Sequence, residues 1–140
     1  MHSEHIENVH PGWVLRGWLL SVAVTSVAFM ILVGLGLVGP ERASTGLLVP
    51  ATVAVGFYAG GLVVGLRWSD APVLHGVAIT LVSVVVWFVS NLLVPDRASG
   101  GALGLATPGF VLGMILLQLV ATVAGAWAGR RMVLGGSDTR

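Results

Sequence analysis

Four long apolar stretches separated by short polar segments dominate the chain, and none of them contains Asp, Glu, Lys or Arg. The hydrocarbon core of a bilayer is about 30 Å thick, so a helix needs roughly 20 apolar residues to cross it. Backbone groups find no partners in lipid, and a helix satisfies them within a single segment. The pattern therefore predicts four transmembrane helices, at residues 17–38, 46–66, 73–94 and 107–128.

These spans predict an all-α fold, a four-helix transmembrane bundle. We assign residues 13–131 to this domain, and residues 1–12 and 132–140 to cytoplasmic tails. The first span is longer than the roughly 7–15 apolar residues of a secretory signal, and acidic residues precede it. We therefore expect it to be retained as a helix. Pro108 is expected in the first turn of the fourth helix, where its missing N–H is tolerated.

The placement of arginine predicts the orientation in the membrane. Two arginines lie on one side of the spans, each beside an acidic residue, in Glu41-Arg42 and Asp96-Arg97. The other five lie on the opposite side, at Arg16, Arg67, Arg130, Arg131 and Arg140. Because cytoplasmic segments carry the excess of positive charge, we expect both termini in the cytoplasm of a multi-pass protein of the inner (plasma) membrane. All seven basic residues are arginine, a bias typical of GC-rich bacterial genomes.

The two halves of the chain resemble each other, which indicates an internal repeat. Three pairs of segments match in the same order: PERAS at 40–44 with PDRAS at 95–99, VLRG at 14–17 with VLHG at 73–76, and GGLVVGLR at 60–67 with AGAWAGRR at 124–131. Each half is then a hairpin that starts and ends in the cytoplasm, and two such hairpins form a repeat of parallel topology. The separation of matched segments grows from 55 to 64 residues, which places extra residues in the second loop or the fourth helix.

Small residues four positions apart predict where the helices touch. Lipid tails are as apolar as leucine, so membrane helices associate through close packing and polar contacts. The second and fourth spans carry glycine at this spacing, and we expect these two helices to face each other at the centre. The third span is bulkier, and we expect its Val84 and Val85 to face lipid. The predicted helix-packing residues are Gly56, Gly60, Gly61, Gly65, Gly109, Gly113, Ala121, Gly125 and Gly129.

Composition excludes several kinds of chemistry. The 140 residues are 56% hydrophobic and 9% charged, whereas soluble domains carry about 25% charged residues. No cysteine is present, which excludes disulfides, thiolate nucleophiles and Cys-ligated zinc. The net charge of +1 gives no basic patch for nucleic acid. No Asp, Glu, Lys or Arg lies within a span, so we expect no catalytic residue, no cofactor and no metal site.

Histidines supply two weak candidates for chemistry. His75 begins the third span at the position that Arg16 occupies before the first, so an interfacial anchor is favoured over a pH sensor or ligand site. The N-terminal tail contains three His and two Glu, which could coordinate a divalent metal, but no zinc-type spacing is met. A solvated tail, whose removal leaves the fold intact, is the favoured interpretation.

Polar residues within the spans leave two interpretations open. Serine and threonine can bond the carbonyl four residues earlier, whereas Asn91 and Gln118 need partners on other helices. Interhelical bonding by these groups is the favoured interpretation. The alternative is a small polar cavity lined by Asn91, Gln118 and Thr122.

Known four-helix families can be compared with these residues. Small multidrug transporters need a glutamate in their first helix, and the first span here has no acid. Fluoride channels need a Gly-Arg motif and pore phenylalanines, which have no convincing counterpart here beyond Asn91 and Phe88. Vitamin K-type quinone reductases need cysteines, and phosphatidyl-transferases need an acidic cluster. The segment at 56–67, GFYAGGLVVGLR, followed by LHGVA at 74–78, resembles uncharacterised small four-span bacterial membrane proteins with a GG-xxx-GR motif at a helix end. This resemblance covers about a quarter of the chain and implies no catalytic residues.

The sequence therefore favours a non-enzymatic integral membrane protein, a structural or accessory subunit that acts through helix–helix contacts. Its expected partners are the lipid bilayer and either a second copy or another membrane protein, with no nucleic acid. The alternative is a small-solute channel or transporter that works as an oligomer. A continuous polar cavity reaching Gln118 would favour the channel, and a close-packed dry interior would favour the subunit.

Overall fold

The computed structural model describes residues 9–39, 41–67, 71–93 and 108–135, and every regular element within them is an α-helix. The helices are α1 (Pro11–Gly34), α2 (Thr45–Arg67), α3 (Pro72–Leu93) and α4 (Pro108–Gly135). Each is long and apolar enough to cross a membrane, with a mean hydropathy of 2.0 to 2.2 over its most apolar part. The prediction of an all-helical chain with four helices able to span a bilayer is confirmed.

Helix α1 begins earlier than expected, inside the segment assigned to the N-terminal tail. Pro11 is its first residue, where the fixed φ suits a helix and the absent N–H has no intrahelical role. The carbonyl of His10 accepts from the backbone N–H groups of Trp13 and Val14, at 2.9 and 3.1 Å. Val9 packs against the core. The folded part of the described chain therefore includes residues 9 and 10.

Helix α1 also ends earlier than expected, at Gly34 rather than near residue 38. Gly36 has a φ of +67°, a left-handed conformation that glycine adopts without strain. Its N–H donates to the carbonyl of Val33, and the N–H of Leu37 donates to the carbonyl of Leu32, both at 2.9 Å. This is the Schellman arrangement, which satisfies the last carbonyls of a helix and stops it.

Side-chain hydrogen bonds close the turn between α1 and α2. The Thr45 hydroxyl donates to the carbonyl of Gly39 at 2.7 Å and accepts from its N–H at 3.1 Å. The Ser44 hydroxyl donates to the carbonyl of Leu37 at 2.6 Å. These bonds connect the end of α1 to the start of α2, so the two helices form a tight hairpin.

The contacts between helices determine their directions. α1 and α2 are antiparallel, because Gly17 lies against Gly60 while Thr25 lies against Gly56. α2 and α4 run in the same direction, with the most extensive contact in the bundle between them. The indole N–H of Trp18 in α1 donates to the Ser83 hydroxyl in α3 at 2.9 Å. The helices therefore alternate in direction, with α2 and α4 at the centre.

The buried core is small and lies where the helices converge. Its apolar members are Val14, Phe57, Val64, Ile79 and Ala121. Much of the remaining apolar surface is exposed, on every helix. Soluble proteins rarely expose contiguous apolar surface of this extent, and lipid contact removes the penalty for doing so.

Gly36→Ala should destabilise the protein by about 1 kcal/mol, because alanine is strained at positive φ. Gly34→Ala is the matched control, since Gly34 is helical and an added Cβ there meets no atom within 4 Å. Thermal unfolding in detergent measures both variants. Equal melting of Gly36→Ala and Gly34→Ala would show that the α1 terminus does not depend on this glycine.

Candidate functional site

The contact between α2 and α4 is made by backbone rather than by side chains. A Cβ added at Gly61 would overlap the carbonyl oxygen of Thr122 and lie 3.1 Å from the backbone nitrogen of Ala126. A Cβ at Gly65 would overlap the carbonyl oxygen of Ala126. Only glycine at both positions allows α4 to approach this closely.

The fourth helix contributes its own glycines to the same contact. A Cβ added at Gly125 would overlap the carbonyl oxygen of Tyr58 and lie 2.9 Å from the backbone nitrogen of Leu62. A Cβ at Gly129 would overlap the carbonyl oxygen of Leu62. Each helix therefore presents two glycines, four residues apart, to the backbone of the other.

Helix α2 has a second glycine face, which packs against α1 and not against α4. A Cβ added at Gly56 would lie 2.6 Å from the carbonyl oxygen of Ser21, and one at Gly60 would lie 2.5 Å from that of Gly17. Successive residues of a helix are about 100° apart. The pair at 56 and 60 and the pair at 61 and 65 therefore point to different neighbours, which puts α2 between α1 and α4.

Of the remaining predicted packing residues, one is buried in the core and two face open space. Ala121 is buried and belongs to the core cluster with Val64. Gly109 and Gly113 face open space, with no atom within 4 Å of an added Cβ, so they make no helix contact within the described residues.

Two contact glycines were not among the predicted packing residues. A Cβ at Gly17 would lie 2.7 Å from the side chains of Ile79 and Val64, and one at Gly76 would lie 2.8 Å from that of Val123. Both are the glycine of the matched VLRG and VLHG segments, and this match could have indicated them as contact residues.

Several buried hydroxyl groups bond within their own helices, whereas the buried Thr25 Oγ1 has no hydrogen-bond partner. Ser21 donates to the carbonyl of Gly17 at 2.9 Å, and Thr80 to that of Gly76 at 3.1 Å. The Thr122 hydroxyl donates to the backbone carbonyl of Gln118. Thr122 does not line the cavity described below. Such bonds to the preceding turn leave these hydroxyls without a need for partners on other helices.

His75, which the sequence favoured as an interfacial anchor, is fully buried at the start of α3. Its Nδ1 lies 2.8 Å from the carbonyl oxygen of Ala71, and its Nε2 accepts from the backbone N–H of His10 at 3.3 Å. A neutral imidazole with its proton on Nδ1 satisfies both contacts. His75 thereby links the start of α1 to the start of α3.

Arginines and tryptophans pair at one end of the bundle. The Arg16 guanidinium lies over the Trp13 ring, 4.9 Å from its centroid, and that of Arg131 lies 3.6 Å from the Trp127 centroid. The first pair is at the start of α1 and the second near the end of α4. Because these helices run in opposite directions, both pairs are at the same end, together with Arg67 in the last turn of α2.

A cavity of about 190 Å³ lies between α3 and α4. Gln118 lines it, and the buried Oε1 of this side chain has no hydrogen-bond partner. Val84, which the sequence predicted to face lipid, lines the cavity too and is half-buried. The Asn91 side chain lies outside the described part of the chain. Most of the other lining residues are apolar, among them Trp87, Phe110 and Met114.

The described residues contain no metal-binding cluster. No group of three His, Cys, Asp or Glu that could hold a metal occurs among them. The residues before position 9, which hold most of the tail histidines and glutamates, are outside the described part. The two features with functional potential are thus the glycine contact and the cavity beside Gln118.

Gly61→Ala should destabilise the protein by about 1–3 kcal/mol, because the added methyl group forces α2 and α4 apart. Gly113→Ala is the matched control, since its Cβ would meet open space. Unfolding in detergent measures stability, and Gly125→Ala should repeat the result from the other helix. If Gly61→Ala and Gly113→Ala unfold alike, the close α2–α4 contact does not exist in the membrane protein.

The chain matches no family model, no curated protein and no solved structure. The resemblance to small four-span bacterial membrane proteins therefore remains a hypothesis, based on the residue pattern alone.

Proposed function

We propose that this chain is a non-enzymatic integral membrane protein, a structural or accessory subunit that acts through helix–helix contacts. The observation that carries the proposal is the backbone contact of α2 with α4 through Gly61, Gly65, Gly125 and Gly129. This contact fills the centre of the bundle, where a conduction pathway through a single copy would run. The outward faces of the helices remain for lipid and for a second copy or another membrane protein.

The arrangement of polar groups supports this role over a channel. A channel needs a continuous row of polar groups or water along its pathway. Here the buried hydroxyls of Ser21, Thr80 and Thr122 bond to their own helices. The cavity beside Gln118 lies between α3 and α4 and is largely apolar. Hydroxyls bonded within their helices and a largely apolar cavity support the structural role over a channel.

We further propose that two hairpin repeats of parallel topology build the bundle. The reciprocal glycine contacts support this. A shift of 64 residues maps Gly61 onto Gly125 and Tyr58 onto Thr122, so the contact of Gly61 with Thr122 becomes that of Gly125 with Tyr58. The same shift turns the contact of Gly65 with Ala126 into that of Gly129 with Leu62. Such reciprocity is what a two-fold axis along the membrane normal requires.

The alternative function is a small-solute channel or transporter that works as an oligomer. The observation that favours it is Gln118, a polar side chain at a cavity in the middle of the fourth helix. A pathway would then lie between α3 and α4 of neighbouring copies and not through the single bundle. Measured solute flux discriminates between the two proposals.

The orientation that we propose has both termini in the cytoplasm, at the end where the Arg16–Trp13 and Arg131–Trp127 pairs lie. Interfacial tryptophan and cytoplasmic arginine are typical of that end. Reporter fusions at Met1 and Arg140 should be active only with a cytoplasmic reporter. Activity of a periplasmic reporter at either terminus would reverse the orientation.

Vesicles that contain the purified protein should pass K⁺, protons and glycerol no faster than empty vesicles, because the glycine contact closes the bundle. A Gln118→Leu variant is the matched control for the alternative. Flux through the wild-type protein that falls in this variant would support the channel and contradict the structural role.

Site-specific photo-crosslinking in native membranes tests the subunit role directly. Met30, Val85 and Val120 lie on three different helices and are all exposed. A subunit should give a discrete protein adduct at one of these positions, with a second copy or with another membrane protein, and lipid adducts at the others. Lipid adducts alone at all three positions would contradict the proposal.

A further inference from the structure

Gln118 lines the cavity between α3 and α4, and its side-chain oxygen is buried away from the accessible space of the cavity. The buried Gln118 Oε1 has no hydrogen-bond partner. A polar group desolvated without a hydrogen bond costs free energy, so such groups in native proteins are normally paired. The neighbouring Ser83 hydroxyl already accepts a hydrogen bond from the Trp18 indole. The acceptor at the cavity that lacks a donor is therefore Gln118.

We propose that this cavity binds a small lipophilic aromatic molecule that carries one O–H or N–H donor, of the phenol or indole class. The donor would bond to Gln118 Oε1, and the ring would occupy the space between α3 and α4. The terminal torsion of a glutamine amide is soft, so Oε1 can turn to meet a donor in the cavity. This site is independent of the proposed structural role, because that role rests on the glycine contact and not on the cavity.

The size of the cavity fits one ring system. An apolar cavity of about 150 Å³ binds benzene. The cavity of about 190 Å³ is larger, so it admits a substituted or fused ring. A lipid acyl chain would fill the same volume but has no donor for Gln118.

The lining favours an aromatic ring over an aliphatic group. Trp87 and Phe110 line the cavity, and aromatic pairs gain about 0.5–1.5 kcal/mol beyond the burial of their area. Met114 adds a polarisable thioether, which also makes favourable contacts with rings.

The position of the cavity gives the ligand a route from the bilayer. Trp87 is 43% exposed and Phe110 is 45% exposed, although both line the cavity. The cavity therefore opens at the outer surface of the α3–α4 pair, which faces lipid in a membrane. A lipophilic phenol or indole partitions into the bilayer and can enter sideways.

The test uses 5-fluoroindole and its 1-methyl derivative, which lacks the N–H donor, with binding followed by ¹⁹F NMR in detergent. Protein-free micelles give the baseline for partitioning. The wild-type protein should bind 5-fluoroindole about tenfold more tightly than the methylated probe, the effect of one buried hydrogen bond. In Gln118→Met, which keeps the side-chain length, the two probes should bind equally.

Two variants on α3 test the location. Val84→Phe should fill the cavity and abolish binding of both probes, because Val84 lines it. Val85→Phe is the matched control, since Val85 is 59% exposed and does not line the cavity, and its binding should equal that of the wild type. Thermal unfolding identifies any variant that fails to fold. The comparison of the two probes on the wild-type protein tests the hydrogen bond without any variant.

Three outcomes would overturn the proposal. One is the absence of saturable 5-fluoroindole binding to the wild-type protein. Another is the same preference between the two probes in Gln118→Met as in the wild type, which would assign the difference to the bulk of the methyl group. The third is unchanged binding in a folded Val84→Phe variant.

Discussion

Direct contact between the backbones of α2 and α4 is the constraint on which the rest of the bundle depends. In lipid, burial of apolar side chains gives no net driving force, and attraction between helices depends on how closely they approach. Gly61 and Gly65 lie against the backbone carbonyls of Thr122 and Ala126, closer than a residue with a Cβ could approach. Close contact of this kind gathers many small dispersion terms and favours Cα–H···O interactions. The two helices in contact run in the same direction.

The second glycine face of α2 explains the position of α1. Gly56 and Gly60 each lie five residues before Gly61 and Gly65, about 140° around the helix, and they contact the backbone of α1 at Ser21 and Gly17. Helix α2 is therefore surrounded by backbone on two sides. α3 joins through Gly76 against α4 and through the hydrogen bond from Trp18 to Ser83, which connects it to α1.

The cavity between α3 and α4 lies where glycine does not allow the two helices to approach closely. Where α3 and α4 lack contact glycines, bulky side chains such as Val84, Trp87 and Phe110 stand between them. Gly109 and Gly113 lie on α4 in this region but face open space, so they do not draw α3 closer. Close packing at one end of the α3–α4 pair, at Gly76, and a cavity at the other thus have one cause, the distribution of residues without side chains.

Much of the fold could be predicted from the sequence because lipid simplifies the rules. Four apolar stretches of sufficient length predict four helices, since no other regular segment satisfies its backbone alone. The exact ends were harder to predict. α1 begins at Pro11 and ends before Gly36, where a left-handed turn and not hydropathy decides the boundary. Glycine spacing identified Gly61, Gly65, Gly125 and Gly129 as packing residues.

The sequence by itself determined which segments are helical and which residues permit close approach, because both follow from local composition. Only the tertiary structure decided which neighbour each glycine meets. Gly56 and Gly60 contact α1, and Gly109 and Gly113 contact no described helix, although all four have the same spacing as Gly61 and Gly65. The burial of His75 and the cavity position of Val84 were likewise decided there. The physical reason is that the direction in which a helix face points depends on the contacts with all its neighbours at once. The spacing of residues along one helix does not specify that direction.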